Sequence, residues 1–412
     1  MTARLLPESV DLDAALRPGA VVPVFQPIVD LHARDVRAYE ALARWPSAPG
    51  LTPDAVFTLA QESSRLVELD WTCRVAAVEA VLRTHPDDAV TVFVNVEPES
   101  LGSPPPAMLA HRWARDAPRV RVVLELTERS MLSHPAELLR FVDQARDDGM
   151  GIALDDVGAH PDSLAMLDLV APDVIKLDLD LVQHTPAREQ ARTLAAVMAH
   201  QERTGASVLA EGIETPQHLE QALALGADLG QGWFFGRPAP LPATLATAVP
   251  PLHYQPLPPR TGRTPADIVR RHLTMRTATR DLLIQLTHHV EELAVDAVDS
   301  PMVLTALQHA DQFAGPTAER YAQLARTSPL VAVFGRELAA APVPGVRGVA
   351  LDATDPLCAE WTVVILGART AAALIASDCG DTGPERDRRF LFAVTHDRAI
   401  VTQTARALLA RL

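Results

Sequence analysis

The chain has 412 residues, 48% apolar and 22% charged, with a formal net charge of −15. That is enough for two or more globular domains, and the acidic balance disfavours non-specific binding to duplex nucleic acid or to an anionic membrane, both of which need a basic face. Three widely spaced cysteines, Cys73, Cys358 and Cys379, form no CxxC pair. They exclude a disulfide scaffold and a zinc ribbon, and they suit a reducing cytoplasm, the expected location.

The opening MTARLLPESVDLDAALRPG breaks every apolar stretch with a charge or a proline. No signal peptide is expected there, and no apolar run approaches the ~20 residues of a membrane span. Residues 1–19 are read as an extension. Beyond it, the apolar runs VPVFQPIVD, TVFVNV, VRVVLELTE, GIALDD, DVIKLD and SVLAEG alternate with stretches of helical apolar spacing, such as PAELLRFVDQARDDG and AREQARTLAAVMAHQERTG. Strands alternating with helices predict parallel βα units, and full apolar runs suit strands buried on both faces. Gly205 and Gly226 suit helix C-caps.

Five successive runs finish in an oxygen donor: Asn95, Glu125, the pair Asp155 and Asp156, Asp178, and Glu211. In a (β/α)₈ barrel all such ends open on one face, the face that carries chemistry. Singly, each residue reads as a loop start or a helix N-cap; five in register point to a site. Oxygen-only donors select hard divalent cations, Mg²⁺ or Mn²⁺, over zinc. Carboxylates so crowded repel one another unless cations neutralise them, and there are ligands enough for two metals. Lys176 is the only lysine beside 36 arginines. It lies two residues before Asp178 on one strand face. An ammonium among metal-bound carboxylates can hold an attacking hydroxide, which points to metal-dependent hydrolysis of a phosphate ester.

FQPIVDL followed by YEALARW resembles the signature of EAL-domain cyclic-di-GMP phosphodiesterases. FVNVEPESL, LELTERSML, IALDDVG, PDVIKLDLDLV, LAEGIET and LGADLGQGWFFGRPAP continue the resemblance in order. It covers about residues 20–240 and implies an α/β fold: a modified (β/α)₈ TIM-like barrel with its first strand antiparallel, hydrolysing cyclic-di-GMP to linear pGpG with two Mg²⁺ or Mn²⁺ ions. It assigns Glu40, Asn95, Glu125 and Asp155 to one metal and Asp156 and Asp178 to the other. Lys176 matches the lysine at the nucleophilic water, Glu211 a proposed base, and Glu128 the glutamate that anchors the active-site loop. Gln26, Glu40, Leu42, Arg44, Asn95 and Gln231 match substrate contacts. The family loop DDFGTGYSSL is here DDVGAHPDSL, from Asp155 to Leu164, so Val157, Ala159, His160, Pro161 and Asp162 depart from it. The resemblance also implies a homodimer. The alternative is a catalytically silent EAL module acting as a cyclic-di-GMP receptor or through protein contacts. Silent modules are expected to lose metal ligands, and every one is in place here. Trp45, Trp113 and Trp233 read as packing residues, and His288, His289 and His309 as surface or packing histidines.

Nine of the 34 prolines fall between Arg237 and Ala266. Proline at that density blocks helix interiors and central strands, so residues 241–265 read as a stiff linker between domains at 20–240 and 266–412. After it, about Asp267–Thr327 reads as helical. The strand-like runs LVAVFGREL, VRGVAL, AEWTVVILG and RRFLFAVTHD and a last helix follow. VRGVALDATDPLCAEWTVVILG resembles the DICT sensory domain, implying a regulatory α/β module with an unknown ligand or protein partner.

Overall fold

The computed structural model describes residues 11–412 except 49–50, 88–89, 128–131, 159–160, 245–251, 253, 255–263, 298, 382–383 and 385–387. The chain forms two compact units. The first is drawn from residues 1–130, 141–159 and 172–255, the second from 131–140, 160–171 and 256–412.

The first unit is a closed eight-stranded barrel. Its strands are β1 (Val24–Asp30), β2 (Val36–Leu42), β3 (Thr91–Val96), β4 (Arg121–Thr127), β5 (Gly151–Val157), β6 (Val174–Leu177), β7 (Ser207–Ala210) and β8 (Leu229–Gln231). β1 runs antiparallel to both neighbours, β2 and β8, and the remaining pairs are parallel. The expected antiparallel first strand is therefore present. Helices fill the connections, as the alternating sequence pattern requires. Gly205 (φ 74°) ends the helix Arg188–Thr204 in the left-handed region, and Gly226 (φ 82°) follows the helix Pro216–Ala224, as expected of C-cap glycines.

Side-chain alternation makes the barrel interior two-layered. Ile28, Ala38, Phe93, Val123, Ala153, Val174, Leu209 and Leu229, one from each strand, pack together as an apolar plug. Two residues further towards the C-terminal face, the period-2 rule puts polar side chains on the same inward side of every strand: Glu40, Asn95, Glu125, Asp155, Lys176, Glu211 and Gln231. β1 runs the other way, so its matching residue precedes the plug: Gln26 pairs in register with Glu40, and Ile28 with Ala38.

Leu252 and Tyr254 close the other side of the plug. Both lie in the stretch expected to be linker, so that part of the proline-rich seam belongs to the barrel core. A Cβ on Gly151 would stand 2.6 Å from the Tyr254 ring. A barrel ended at residue 241 should therefore unfold about 3–5 kcal/mol more easily than one ended at 255, the cost of uncovering two large side chains. Equal denaturation midpoints would contradict this. The extension contributes too: the indole N–H of Trp45 donates to the Ala15 carbonyl at 3.0 Å, and Leu12 and Ala15 join its apolar cluster. Trp113 packs edge-on against Trp71 at 5.6 Å. Trp233 corrects the expectation of packing: it is 54% exposed, with the Arg237 guanidinium 4.0 Å above its ring.

The second unit holds a seven-stranded mixed sheet. Its strands are β9 (Arg276–Thr279), β10 (Met302–His309), β11 (Val331–Arg336), β12 (Val346–Ala350), β13 (Glu360–Leu366), β14 (Ala371–Asp378) and β15 (Arg389–Thr395), in the order β12-β11-β10-β13-β14-β15-β9. The helices Arg280–Val295 and Pro316–Leu324 pack on one face with the apolar core. The helix Arg398–Leu409 lies against β10, β13 and β14. This corrects the reading of 267–327 as helical: β9 and β10 lie inside it, and β10 is a central, buried strand. Residues 164–171 belong to this unit, where Arg398 pairs with Asp168.

Glu360, buried at the start of β13, accepts from the backbone N–H of Ala266 at 3.1 Å. Burial pushes its carboxyl up to about 7, against the lowering effect of its hydrogen bonds from Thr264 and Ala266. The folded state holds this proton more tightly than the unfolded chain, so stability falls as pH rises from about 4.5 to about 7. Glu360→Gln, which keeps the acceptor, should flatten that slope and add about 2–3 kcal/mol above pH 7. Urea unfolding of the second unit at pH 5 and pH 8 measures it; a variant that loses stability at pH 8 would overturn the assignment.

Candidate active site

The polar layer converges on Lys176. Its Nζ lies 2.7 Å from Glu125 Oε1, 2.9 Å from Asp155 Oδ1, 2.9 Å from Glu211 Oε1 and 4.0 Å from Glu40 Oε1. Glu40 is held from both sides, by the Asn95 amide at 3.4 Å and the Gln231 amide at 2.5 Å. Adjacent strands deliver these groups in register, with Asn95 opposite Glu125 and Glu40 opposite Phe93. Gly232, after Gln231, has φ 156°, and a Cβ there would meet the Ile213 backbone at 2.1 Å, so only glycine lets β8 turn at this point.

Asp156 reaches the same face by an irregularity. The β5–β6 register shifts between Leu154 and Val157, and Asp156 takes φ 57°, a left-handed conformation uncommon outside glycine. Such a bulge re-aims a side chain that strict alternation would turn outward. Carboxylate oxygens of Asp155, Asp156 and Glu211 consequently lie within 4.8 Å of one another.

The electrostatics are unbalanced. Burial raises the Glu125 carboxyl well above its usual range even against the attraction of Lys176. Glu211 is pushed up to about 8, by burial first and by Asp155 and Glu40 beyond it, with Lys176 opposing. Burial alone would lower the Lys176 ammonium, but Asp155, Glu125, Glu211 and Glu40 together hold it well above its ordinary value. One ammonium does not offset this many acids. Glu125 is fully buried, and its Oε2 has no hydrogen-bond partner among the described residues. An orphaned buried oxygen in an all-oxygen donor set fits a hard divalent cation.

The other expected residues divide. Gln26 donates to the Gly236 carbonyl at 3.3 Å. Leu42, Arg44 and Asn95 line a cavity of about 310 Å³ beside the polar layer. Asp178 caps the helix Leu179–Gln183, accepting from the Asp180 N–H at 2.8 Å, and stands outside the three-carboxylate group. Glu128 and His160 lie outside the described residues. Sequence reasoning missed Asp70 and Glu97 on the cavity wall. Asp70 pairs with the buried Arg74 one helical turn on and accepts from the Glu97 N–H at 3.3 Å. The i, i+4 spacing of Asp70 and Arg74 was the available signal.

The EAL domain family model matches residues 9–238, and the model described as the sensory domain in diguanylate cyclases and two-component systems, DICT, matches 269–378. The chain is 30% identical over 240 residues to the cyclic di-GMP phosphodiesterase NbdA of Pseudomonas aeruginosa, covering 57% of this chain and 31% of that protein. It is 30% identical over 241 residues to the cyclic di-GMP phosphodiesterase RocR of the same organism, covering 57% and 62%. A solved structure, the manganese and cyclic-di-GMP complex of BlrP1 from Klebsiella pneumoniae, is 28% identical, with TM-score 0.48 over 54% of this chain and 57% of that one. The matched region thus spans less than two thirds of these relatives. Among the described residues no helix is long and apolar enough to cross a membrane. With more than half of its length matched by the family model, and the polar layer seated at the open ends of its barrel strands, the chain belongs to the EAL domain family and carries a DICT sensory domain after the barrel.

Proposed function

We propose that the barrel is a divalent-metal-dependent phosphodiesterase that hydrolyses cyclic-di-GMP to linear pGpG, under control of the DICT unit. The observation that carries this reading is the layer of Glu40, Asn95, Glu125, Asp155 and Glu211 around Lys176, with an orphaned carboxylate oxygen inside it. The names of NbdA and RocR supply the substrate.

In this reading Glu40, Asn95, Glu125 and Asp155 hold one Mg²⁺ or Mn²⁺ ion, and Asp156 and Asp178 serve a second. Bound there, a metal pair would lower the pKa of a bound water and neutralise phosphodiester charge. Glu211 takes the proton of the attacking water; as the water oxygen bonds to phosphorus the P–O3′ bond breaks, and the departing 3′ oxygen takes up a proton in return. Lys176 holds that water in line with the phosphorus and offsets the charge that develops on its oxygens. Arg44 meets a phosphate, with Gln26, Leu42 and Gln231 completing the substrate contacts, and Glu128 anchors the loop after Asp156. A homodimer accompanies this reading and is checked by light scattering.

The test is incubation of the purified chain with cyclic-di-GMP and Mn²⁺ or Mg²⁺, with chromatography of the products. pGpG should form, and EDTA should abolish it. Turnover undiminished in EDTA, or no pGpG with either ion, would sink the proposal. Control by the second unit is checked by comparing the full chain with one ended at residue 255; equal turnover per folded barrel would count against it.

A further inference from the structure

A second cavity lies wholly within the sensory unit, and it is built like a ligand site. It measures about 170 Å³. The helix Arg280–Val295 lines it with Arg280, Ile284, Thr287, His288 and Glu291, the i, i+4, i+7, i+8, i+11 stripe of one helix face. β13 adds Trp361 and Val363, and β10 adds Thr305 and Leu307, each pair two apart on one face of its strand.

Two features of the wall point to a bound molecule. The first is charge: the lining holds three guanidinium groups, Arg280, Arg320 and Arg388, against one carboxylate, Glu291. That is a dense set of guanidinium donors around one small cavity, in a chain whose net charge is −15. Glu291 is engaged by Arg320 at 2.6 Å. Arg388 is steadied by Asp378, yet its Nε, buried in the wall, has no hydrogen-bond partner among the described residues. The second is an orphaned hydroxyl: Thr287 is 6% exposed, and its buried Oγ1 has no hydrogen-bond partner among the described residues. Buried donors and acceptors without partners are rare in folded proteins, because each forfeits the hydrogen bond it had with water.

The rest of the wall is flat and apolar. Trp361 and Phe390 meet edge to face at 6.0 Å, and Tyr321, pinned by Thr305 at 2.6 Å, faces the same space. A cavity of about 150 Å³ accommodates a benzene ring. This one takes a single ring with a small substituent. The geometry points to a binding site for a small organic carboxylate with a planar, single-ring body, its carboxylate met by Arg388 and Thr287 and its ring by Trp361 and Phe390. A guanidinium suits a carboxylate because its donors are fixed in a planar fork. The inference stands apart from the barrel's chemistry, since it needs only the sensory unit's own residues.

The experiment uses 4-fluorobenzoate as probe on the full chain, with binding read by ¹⁹F NMR line broadening and titration calorimetry. One saturable site is expected, and 4-fluorobenzamide, of the same shape without the charge, should bind at least about tenfold more weakly. Arg388→Gln should raise the probe's Kd about tenfold or more, and Thr287→Val, nearly isosteric, about fivefold. The valine variant keeps the test sharp should the arginine variant fold poorly. No saturable binding at millimolar probe, or binding equal in charged and neutral probes, would overturn the proposal. Binding that survives both variants but falls in Arg44→Ala would place the probe in the barrel, and would overturn it equally.

Discussion

Lys176→Arg is expected to be nearly as damaging as Lys176→Ala, each lowering turnover of cyclic-di-GMP about 10²–10³-fold, the usual effect of losing one well-placed electrostatic contact. The reason is space. Nζ is surrounded by Glu125, Asp155 and Glu211 at 2.7 to 2.9 Å, with Glu40 at 4.0 Å, and the side chain is 1% exposed. A guanidinium is wider than an ammonium and fixed in plane, so it must push the carboxylates apart or occupy the place of the attacking water. Stability should separate the two variants where turnover does not. Lys176→Ala leaves buried acids without their cation, a change that typically costs about 3–5 kcal/mol. Lys176→Arg retains the charge and should lose less. The alanine variant's deficit should be largest in EDTA and shrink when Mn²⁺ is added. Substrate affinity should fall far less than turnover in both, because Arg44 and the cavity beside it are untouched. Wild-type turnover in Lys176→Arg would make the chain's one lysine an accident of codon usage.

The polar layer was legible because of a simple regularity. Each strand carries an inward apolar residue and, two positions on, an inward polar one: Phe93 then Asn95, Val123 then Glu125, Ala153 then Asp155, Val174 then Lys176, Leu209 then Glu211. A run of apolar residues stopping at an oxygen donor records that geometry directly. Asp156 and Asp178 show the limit of the rule. Asp156 joins the cluster only through a register shift and a left-handed φ, and Asp178 follows the same periodicity yet caps a helix. β2 and β8 gave no strong run of their own, since VRAYEAL is mixed and LGQ has only three residues. In the sensory unit the helical reading failed on β9 and β10, and β14 drew no reading. MVLTALQH and AAALIASD are full of Met, Leu, Ala and Gln, which favour helices in isolation. Helices packed on the sheet bury both faces, so the strands show no alternation, and small alanines suit that close approach. The second cavity was illegible for another reason: its wall is assembled from residues 280 to 390, far apart in sequence.

Glu125→Gln should separate a metal ligand from a structural partner. Glu125 is fully buried, accompanied by the Lys176 ammonium at 2.7 Å, and its second oxygen has no hydrogen-bond partner among the described residues. A side chain kept for folding alone would not be left in that state, because an unmatched buried acid costs more than a neutral amide of the same shape. In EDTA the glutamine variant should therefore be at least as stable as the parent chain, since it removes a charge that burial disfavours. Its affinity for Mn²⁺ should fall by about 10²-fold or more: losing groups that merely support a ligand already costs about 10–100-fold. Turnover should fall with it. Calorimetric Mn²⁺ titration and thermal unfolding in EDTA supply the two readouts. The opposite pair, lower stability with unchanged Mn²⁺ affinity, would mean that Glu125 only anchors Lys176, and the cation would have to be held by Asp155, Asp156 and Glu211, whose oxygens lie within 4.8 Å of one another.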